Sequence, residues 1–448
     1  MSFKEKAIKK MPFILQNTAV SLFNAYQYKV RHGGEYKKLK EYYSEVDSFT
    51  EEKLHQAFID KKSDFFIYIK SHSSWYRNYN FEDMSLVNVL NKQDIINHLN
   101  EITTINEKDG LVSLTGGTTG ASMKVIYTKS DMQERFAILD HFRAKHGYEL
   151  GKKTAWFSGK NLISKKDIKK GICSHYDFIN KIRFYSTFHI NQNSFDIYWK
   201  SINEFKPEFI VGFPSSVYEI CEIADSKGLR LSHKVKVFFP TAETVLPKHR
   251  EVIGRVLGCK LVDQYASSEG APFILECTKG NLHIHPLTGI FEVVDEDMQP
   301  AEEGELLVTS FTTHGTPLVR YRVGDRIKLA SPHKQCDCGS FFPLVDKIEG
   351  RSTDYVLSPT HGKVNLGNIS NSTKDVIGII QFQVIQQELN HVKVLVVATT
   401  DFTLAEKNKF KTSLTERFGT QITIDLQVVD EIAKEKSGKF RLVKNLII

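Results

Sequence analysis

The chain predicts an α/β fold, with a large N-terminal domain of β-sheets and helices that carries a β-subdomain, and a small α+β C-terminal domain. Three observations predict it. Strand-like and helix-like segments alternate from residue 154 to 264, the pattern of a largely parallel sheet. From 282 to 330 that alternation gives way to short strands and turns, including Gly304-Glu305-Leu306-Leu307-Val308-Thr309. The remaining residues read as a small unit of their own. The boundary falls near Gly350-Arg351, giving domains of 1–350 and 351–448.

The elements follow in order. Residues 4–30 read as a basic amphipathic helix with Met11, Phe13, Ile14 and Leu22 on one side, expected to pack on the parent domain, with contact to a membrane surface as the alternative. Residues 36–100 read mostly as helices. Leu111–Leu114 and Val125–Thr128 read as strands around a glycine-rich loop, and Asp131–His146 as a helix. Strands at Thr154–Ser158, Phe209–Gly212, Val235–Phe239 and Lys260–Gln264 alternate with helices at Ser194–Phe205, Ser215–Lys227 and Pro247–Leu257. In the C-terminal unit, Gln381–Ile385 and Val392–Ala398 read as a hairpin. Leu404–Phe418 reads as a helix with Phe410, Leu414 and Phe418 on one face, and Ile422–Val429 as a strand.

Composition narrows the class. The 448 residues are 41% hydrophobic and 25% charged, as in an ordinary globular protein. No apolar run approaches the roughly 20 residues of a membrane span. The N-terminus is too charged for a secretory signal, so a cytoplasmic protein is expected. The net charge of +7 is spread along the chain, with Lys152/Lys153, Lys165/Lys166 and Lys169/Lys170 as one basic region that reads as a solvated face. No nucleic-acid motif is present, and no nucleic-acid partner is expected. The G-x-S-x-G and H-E-x-x-H patterns are missing too, which removes the simplest hydrolase readings.

The most informative stretch runs from Ser113 to Lys124. It gathers Gly116, Gly117 and Gly120 with Thr115, Thr118, Thr119 and Ser122. Glycine lets backbone N–H groups turn inward, and hydroxyls add donors, so the loop offers a concave set of donors for phosphate oxygens. Lys124 adds a charge at its rim. The loop joins two strands, unlike the strand–loop–helix of Walker-type ATPases, and a plain hairpin turn is the competing reading.

Further candidates lie at predicted strand ends, where open α/β sheets bind ligands. Glu269, in Tyr265-Ala266-Ser267-Ser268-Glu269-Gly270, could hold Mg²⁺. Pro240-Thr241-Ala242-Glu243 belongs to the same edge. Asp325 closes Tyr321-Arg322-Val323-Gly324-Asp325, where a carboxylate could take ribose hydroxyls. Lys439 lies in a loop near the C-terminus. Cys336-Asp337-Cys338-Gly339 has the form of a metal knuckle. With Cys277 and His283 it would complete a closed Cys₃His zinc site, His285 being the rival fourth ligand. Cysteines that merely pack are the competing reading.

Taken in order, these segments resemble the core motifs of adenylate-forming enzymes, and most closely the phenylacetate–CoA ligase-like branch with its paralogues from capsule and O-antigen clusters. The motifs are 113–124, Thr241-Ala242-Glu243, Tyr265 to Glu269, Gly304 to Thr309 with Tyr321 to Asp325, Gly350-Arg351, and Ser437-Gly438-Lys439. The resemblance covers nearly the whole chain. It implies an adenylation domain with a mobile C-terminal lid. The reaction implied uses ATP and Mg²⁺ to turn a small-molecule carboxylic acid into an acyl-adenylate, and CoA or an amine or sugar then takes the acyl group.

The resemblance also implies residue roles. Thr115, Gly116, Gly117, Thr118, Thr119 and Gly120 would hold the β- and γ-phosphates, with Lys124 assisting. Ala242 and Glu243 would border adenine, with Tyr265 beside it. Glu269 would serve Mg²⁺, and Asp325 and Arg351 the ribose. Lys439 would offset charge in the adenylation transition state, reaching it as residues 350–354 hinge, with Asp354 as pivot. His189, Phe213, Pro214 and Ser215 are candidates for the acid pocket. The chain departs from the pattern at Gly120-Ala121-Ser122-Met123-Lys124, at Tyr265-Ala266, and over Tyr355 to Lys363. The last departure bears on CoA as acceptor. A nucleotide-binding protein without catalysis and a zinc hydrolase are the other classes weighed. Retention of Glu269, Asp325 and Lys439 argues against the first, and four protein ligands leave no open zinc position for the second.

Overall fold

The computed structural model describes residues 11–114, 123–158, 163–331, 334–351, 355–366, 369, 371–373, 376–435 and 440–447. Contacts divide the chain into two units. One joins residues 1–20, 152–261 and 349–448, and the other joins 21–151 and 262–348.

The first unit holds a six-stranded sheet in the order Ser174–Asp177, Ile182–Ser186, Thr154–Ser158, Phe209–Gly212, Val237–Pro240, Lys260–Leu261. Its neighbours pair in parallel except at the Ser174–Asp177 edge. Phe209–Gly212 and Val237–Pro240 are buried at every residue, as continuous apolar strands inside a parallel sheet must be. Helices Phe195–Phe205, Pro214–Ser226 and Pro247–Leu257 make the crossovers. Proline opens the second and third of these at a position that needs no N–H donor, and Gly258 ends the third in the left-handed region at φ 66°.

A four-stranded sheet in the same unit runs Thr423–Val428, His391–Ala398, Ile379–Glu388, Val443–Asn445. The central pair is the predicted hairpin, in antiparallel register Val384↔Val394. Helix Leu404–Phe418 has the predicted bounds, and its Phe410, Leu414 and Phe418 are fully buried. Ile380 and Val397 join the core of Phe157, Tyr198, Phe238 and Ile253.

The second unit holds a seven-stranded sheet, the expected β-subdomain. Its order is Gly289–Val294, Glu303–Ser310, Tyr321–Leu329, Leu344–Arg351, Leu282–Ile284, Ile274–Glu276, Gln264–Tyr265. Helix Lys129–Lys145 is capped by Thr128, whose hydroxyl accepts from Asp131 N while the Asp131 carboxylate accepts from Thr128 N.

Two expectations are corrected. Lys260–Gln264 is not one strand: Lys260–Leu261 ends the parallel sheet, and Gln264–Tyr265 starts the antiparallel one. The N-terminal helix, Phe13–Arg31, does not turn Met11, Ile14 and Leu22 inward. Those side chains are exposed, while Gln16, Ser21 and Asn24 are buried and Phe13 stacks on His175 at 5.1 Å. Among the described residues no helix is long and apolar enough to cross a membrane.

Candidate functional site

The glycine loop's two stems form an antiparallel pair, Leu111–Leu114 with Lys124–Tyr127, in register Leu114↔Lys124. Residues 115–122, with the predicted phosphate donors Thr115 to Gly120, lie outside the described residues. Lys124 Nζ stands 2.7 Å from Glu107 Oε2, both partly exposed.

The stems hold the loop that carries Glu269. Ser113 Oγ donates to Ser268 O at 3.2 Å, and Tyr127 O–H donates to the same carbonyl at 2.9 Å. The next carbonyl, Gly270 O, accepts from Arg135 Nη1 at 2.9 Å and Ser310 Oγ at 2.7 Å. Arg135 also donates to Ala271 O at 3.1 Å and Thr312 Oγ1 at 2.8 Å, and it stacks over Phe273 at 4.5 Å. The guanidinium is buried, and burial pulls its pKa down, with Tyr127 and Asp131 opposing. A buried cation costs free energy unless its donors are satisfied, and these are used mainly on main-chain carbonyls of one loop. Gly270 sits at φ 100°, and a Cβ there would meet Thr313 Cγ2 at 2.3 Å. Only glycine fits this turn.

Tyr265 and Asp325 come together in the same unit. The Tyr265 O–H donates to Asp325 Oδ2 at 2.7 Å. Strand Gln264–Tyr265 pairs with Ile274–Glu276, and Asp325 lies on Tyr321–Leu329 just past Gly324, whose φ is 84°.

In the other unit, Glu243 has a task that sequence reasoning did not foresee. One carboxylate oxygen accepts from Ser215 N at 3.0 Å, at the start of helix Pro214–Ser226. The other accepts from Phe440 N at 2.8 Å. Burial pushes the Glu243 pKa up, and the N–H donors of Phe440 and Ser215 counter it. Its neighbour Ala242 is exposed and lies at φ 65°, a strained region for a residue with a Cβ. Gly212 is required where it stands, because a Cβ would sit 2.0 Å from Phe157 O.

Lys439 lies outside the described residues, as does Asp354, and of Arg351 only the backbone is described, at the end of strand Leu344–Arg351. The segment's flanks are described. Phe440 is tied to Glu243. On the other side Lys434 Nζ donates to Thr187 O at 2.6 Å and to Glu219 Oε2 at 3.1 Å. Both members of that ion pair are almost fully buried. Burial raises the Glu219 pKa, and Lys434 opposes the rise. Lys248 makes a further tie: it lies 4.9 Å from the Tyr218 ring and 5.3 Å from the Phe382 ring, and burial brings its pKa down to about 8.

Of the acid-pocket candidates, Phe213, Pro214 and Ser215 are buried at the start of helix Pro214–Ser226, and the Ser215 and Ser216 hydroxyls have no hydrogen-bond partner among the described residues. His189 is half-buried and donates from Nε2 to Ile163 O at 2.9 Å.

Cys277, His283, Cys336 and Cys338 come together as predicted, their ligand atoms all within 4.8 Å of one another. Cys277 Sγ and Cys336 Sγ are 3.7 Å apart, and Cys338 Sγ is 3.5 Å from His283 Nε2. Ligands of a tetrahedral zinc stand about 3.3–3.8 Å apart, so the cluster fits that ion. His283 Nδ1 donates to Phe342 O at 2.9 Å, which leaves Nε2 as the free lone pair facing the thiols. His285, the rival ligand, is not in the cluster; it is buried against Tyr43 and Phe342.

The family model for the CapK C-terminal domain matches residues 356–446. Protein CapK of Staphylococcus aureus is 31% identical over 97% of this chain and 98% of its own length. The chain belongs to the CapK family. The chain also resembles phenylacetate–CoA ligases, that of Thermus thermophilus at 31% identity over 35% of the chain and 37% of its own length, and that of Aromatoleum evansii at 25% over 56% of each, which sets it in the phenylacetate–CoA ligase-like branch of adenylate-forming enzymes. The indoleacetate–lysine synthetase of Pseudomonas savastanoi is 25% identical over 50% of the chain and 55% of its own length. The fold is that of a 2-hydroxyisobutyryl-CoA ligase solved with 2-HIB-AMP, with a TM-score of 0.69 and 15% identity over 87% of this chain and 89% of that one.

Sequence reasoning missed Arg135, Tyr127, Lys434 and Glu219. Arg135 had one signal, its position one helical turn past the capping Asp131. The pairing of Lys434 with Glu219 had none.

Proposed function

We propose that this CapK-family enzyme activates a carboxylic acid with ATP and Mg²⁺ and then transfers the acyl group. The substrate carboxylate attacks the α-phosphorus, the bond to the β-phosphate bridging oxygen breaks, and pyrophosphate leaves with its charge. A nucleophile then attacks the acyl carbonyl, loses its proton, and AMP departs. The observation that carries this reading is the shared anchor at Ser268 O, where both stems of the glycine loop hold the loop of Glu269. It supports a phosphate loop and a magnesium carboxylate built as one piece.

Residues 115–120, with Lys124, would hold the β- and γ-phosphates. Glu269 would hold Mg²⁺, which supplies charge neutralisation on the phosphates when bound. Asp325, oriented by Tyr265, would accept the ribose hydroxyls, with Arg351 near them and Ala242 bordering adenine. Glu243 would act as a clamp on the Lys439 segment as well as a border of that site. Residues 351–448 would form the lid, hinged at 350–354, and Lys439 would offset charge as pyrophosphate leaves. Phe213, Pro214 and Ser215 would line the acid pocket, with His189 beside them. The four-ligand cysteine cluster would hold a structural zinc ion. We assign the activity to the cytoplasm.

CoA is the first acceptor proposed. An amine, including an amino sugar of capsule polysaccharide synthesis, is the second. Two observations favour the second: the indoleacetate–lysine synthetase likeness and the altered stretch at Tyr355 to Lys363.

The test is pyrophosphate release from Mg-ATP across a panel of carboxylic acids, with hydroxylamine as a general acceptor, repeated with CoA or amino sugars. Acid-dependent release supports adenylation, and the acceptor that speeds turnover names the second step. ATP binding with no release for any acid would favour a protein that has lost catalysis.

A further inference from the structure

The six cysteines fall into two chemical groups. Cys173, Cys221 and Cys259 are buried among apolar side chains. Burial pushes their thiols up, to about 11 for Cys173, to about 12 for Cys259 and well above the ordinary value for Cys221, which makes them poor nucleophiles. The other three, Cys277, Cys336 and Cys338, converge with His283, and two of them, Cys277 and Cys338, are only half-buried.

Within that cluster the sulfurs are not equivalent. Cys277 Sγ and Cys336 Sγ face each other at 3.7 Å, while Cys338 Sγ lies against His283 Nε2 at 3.5 Å. Asn281 Nδ2 donates to Cys336 Sγ at 3.2 Å and holds it in that orientation. A disulfide needs its two sulfurs to close to about 2.05 Å.

Both members of the facing pair stand on turns, outside the strands. Cys277 opens the turn between strands Ile274–Glu276 and Leu282–Ile284. Its N–H donates to Asn281 O at 2.8 Å, and its carbonyl accepts from Gly280 N at 2.9 Å. Cys336 lies in the connection from Tyr321–Leu329 to Leu344–Arg351, with its carbonyl accepting from Gly339 N at 3.1 Å. Side-chain rotation and small turn adjustments therefore bring the sulfurs together with the pairs Glu276↔Leu282 and His283↔Leu344 left in place.

We propose that Cys277 and Cys336 form a reversible disulfide when the protein meets a peroxide, and that forming it empties the metal cluster. The Cys277 thiolate, the more exposed of the two, attacks one peroxide oxygen. The O–O bond breaks, hydroxide leaves, and a sulfenic acid remains. The Cys336 thiolate then attacks that sulfur, the S–S bond forms, and a second hydroxide leaves. The two sulfurs together lose two electrons, the peroxide gains them, and two protons turn the hydroxides into water. Cys338 and His283 are left, and two ligands do not hold an ion that needs four. Thiol–disulfide exchange with a small dithiol reverses the change. The release of metal rests on the structural zinc reading above, whereas the choice of Cys277 with Cys336 rests on the sulfur geometry alone.

The test exposes the full chain, as purified, to hydrogen peroxide. Zinc release is followed with a chromogenic chelator, and the disulfide is mapped by mass spectrometry of unreduced peptides. The expected result is one zinc released per chain, a linked Cys277–Cys336 peptide pair, and unmodified Cys173, Cys221 and Cys259. Dithiothreitol with added zinc should restore the starting state. Cys336→Ser is expected to lose the linked pair and to stop at a sulfenic acid on Cys277 that dimedone captures. Where that variant fails to fold, the wild-type peptide map decides. Zinc retained under peroxide, Cys338 as a partner in the main linkage, or equal oxidation of Cys173 overturns the proposal. A protein purified without zinc refutes the zinc reading and the release with it, and the linked pair then decides the disulfide by itself.

Discussion

The two segments that carry the candidate chemistry are held in different ways. The Glu269 loop is built into its unit. Two hydroxyls fix Ser268 O, and Arg135 and Ser310 fix Gly270 O, all from buried or sheet-bound positions. On either side of the Lys439 segment, Lys434 donates to Glu219 and Thr187 O, and the Glu243 carboxylate accepts from Phe440 N. The first arrangement suits a metal-phosphate site that must stay in place through catalysis. The second joins distant stretches of one unit through two side chains, Lys434 and Glu243, each of which serves two partners. The first loop is fixed by several contacts at two of its carbonyls, the flanks of the second by one side chain each.

Breaking the Lys434 side should have the largest effect. Lys434→Ala leaves Glu219 buried without its partner, and a broken buried pair costs about 3–5 kcal/mol. Adenylation is expected to fall about 100-fold, while acyl transfer from supplied acyl-adenylate stays near wild type. Equal losses in both half-reactions would mean that Lys434 serves folding alone.

On the preorganised side, Arg135→Lys keeps a cation but loses the fork that reaches two carbonyls at once. We expect about a tenfold loss in kcat and a higher Mg²⁺ requirement, with a stability loss of about 2 kcal/mol. An unchanged Mg²⁺ titration would remove Arg135 from the positioning of Glu269.

The cysteine cluster tests whether the β-subdomain's rigidity depends on an ion. Elemental analysis should find one zinc per chain, and Cys338→Ser should lose it at a cost of about 2 kcal/mol with KM for ATP little changed. A zinc-free wild-type protein of unchanged stability contradicts the assignment.

The smallest effect is one of pH. Leu246 N donates to His249 Nδ1 at 3.2 Å, so the imidazole must be neutral, and burial holds its pKa well below 6.5. The unfolded chain takes up a proton near pH 6.5 while the folded chain does not. Stability from this group is therefore complete above pH 6.5 and erodes as pH falls below it, by at most about 1.4 kcal/mol per pH unit. Urea melts from pH 7.5 to 5.5 should show this slope, and His249→Asn should flatten it.

How much was legible in the sequence follows from the range of the forces involved. Helix Leu404–Phe418 announces itself by its periodic apolar face, and strands Thr154–Ser158 and Phe209–Gly212 by short apolar runs, because these signals are local. The cysteine cluster was legible although its halves lie far apart, because thiols and imidazole share few other uses in one pattern. Lys434 with Glu219, and Glu243 with Phe440 N, were not legible. Each joins positions about two hundred residues apart through a single polar contact, and no periodicity records it. The N-terminal helix shows a further limit. Its pattern marks two faces, but only the buried Gln16, Ser21 and Asn24 reveal which one the protein keeps.

The most direct measurement is acid-dependent exchange of labelled pyrophosphate into ATP, comparing wild type with Lys439→Ala. Exchange requires the acyl-adenylate step and is blind to the acceptor. Wild type should exchange with at least one carboxylic acid, and Lys439→Ala should lose about 10²–10³-fold while still binding ATP. Exchange that survives undiminished in Lys439→Ala would contradict the account, because Lys439 would then have no part in adenylation.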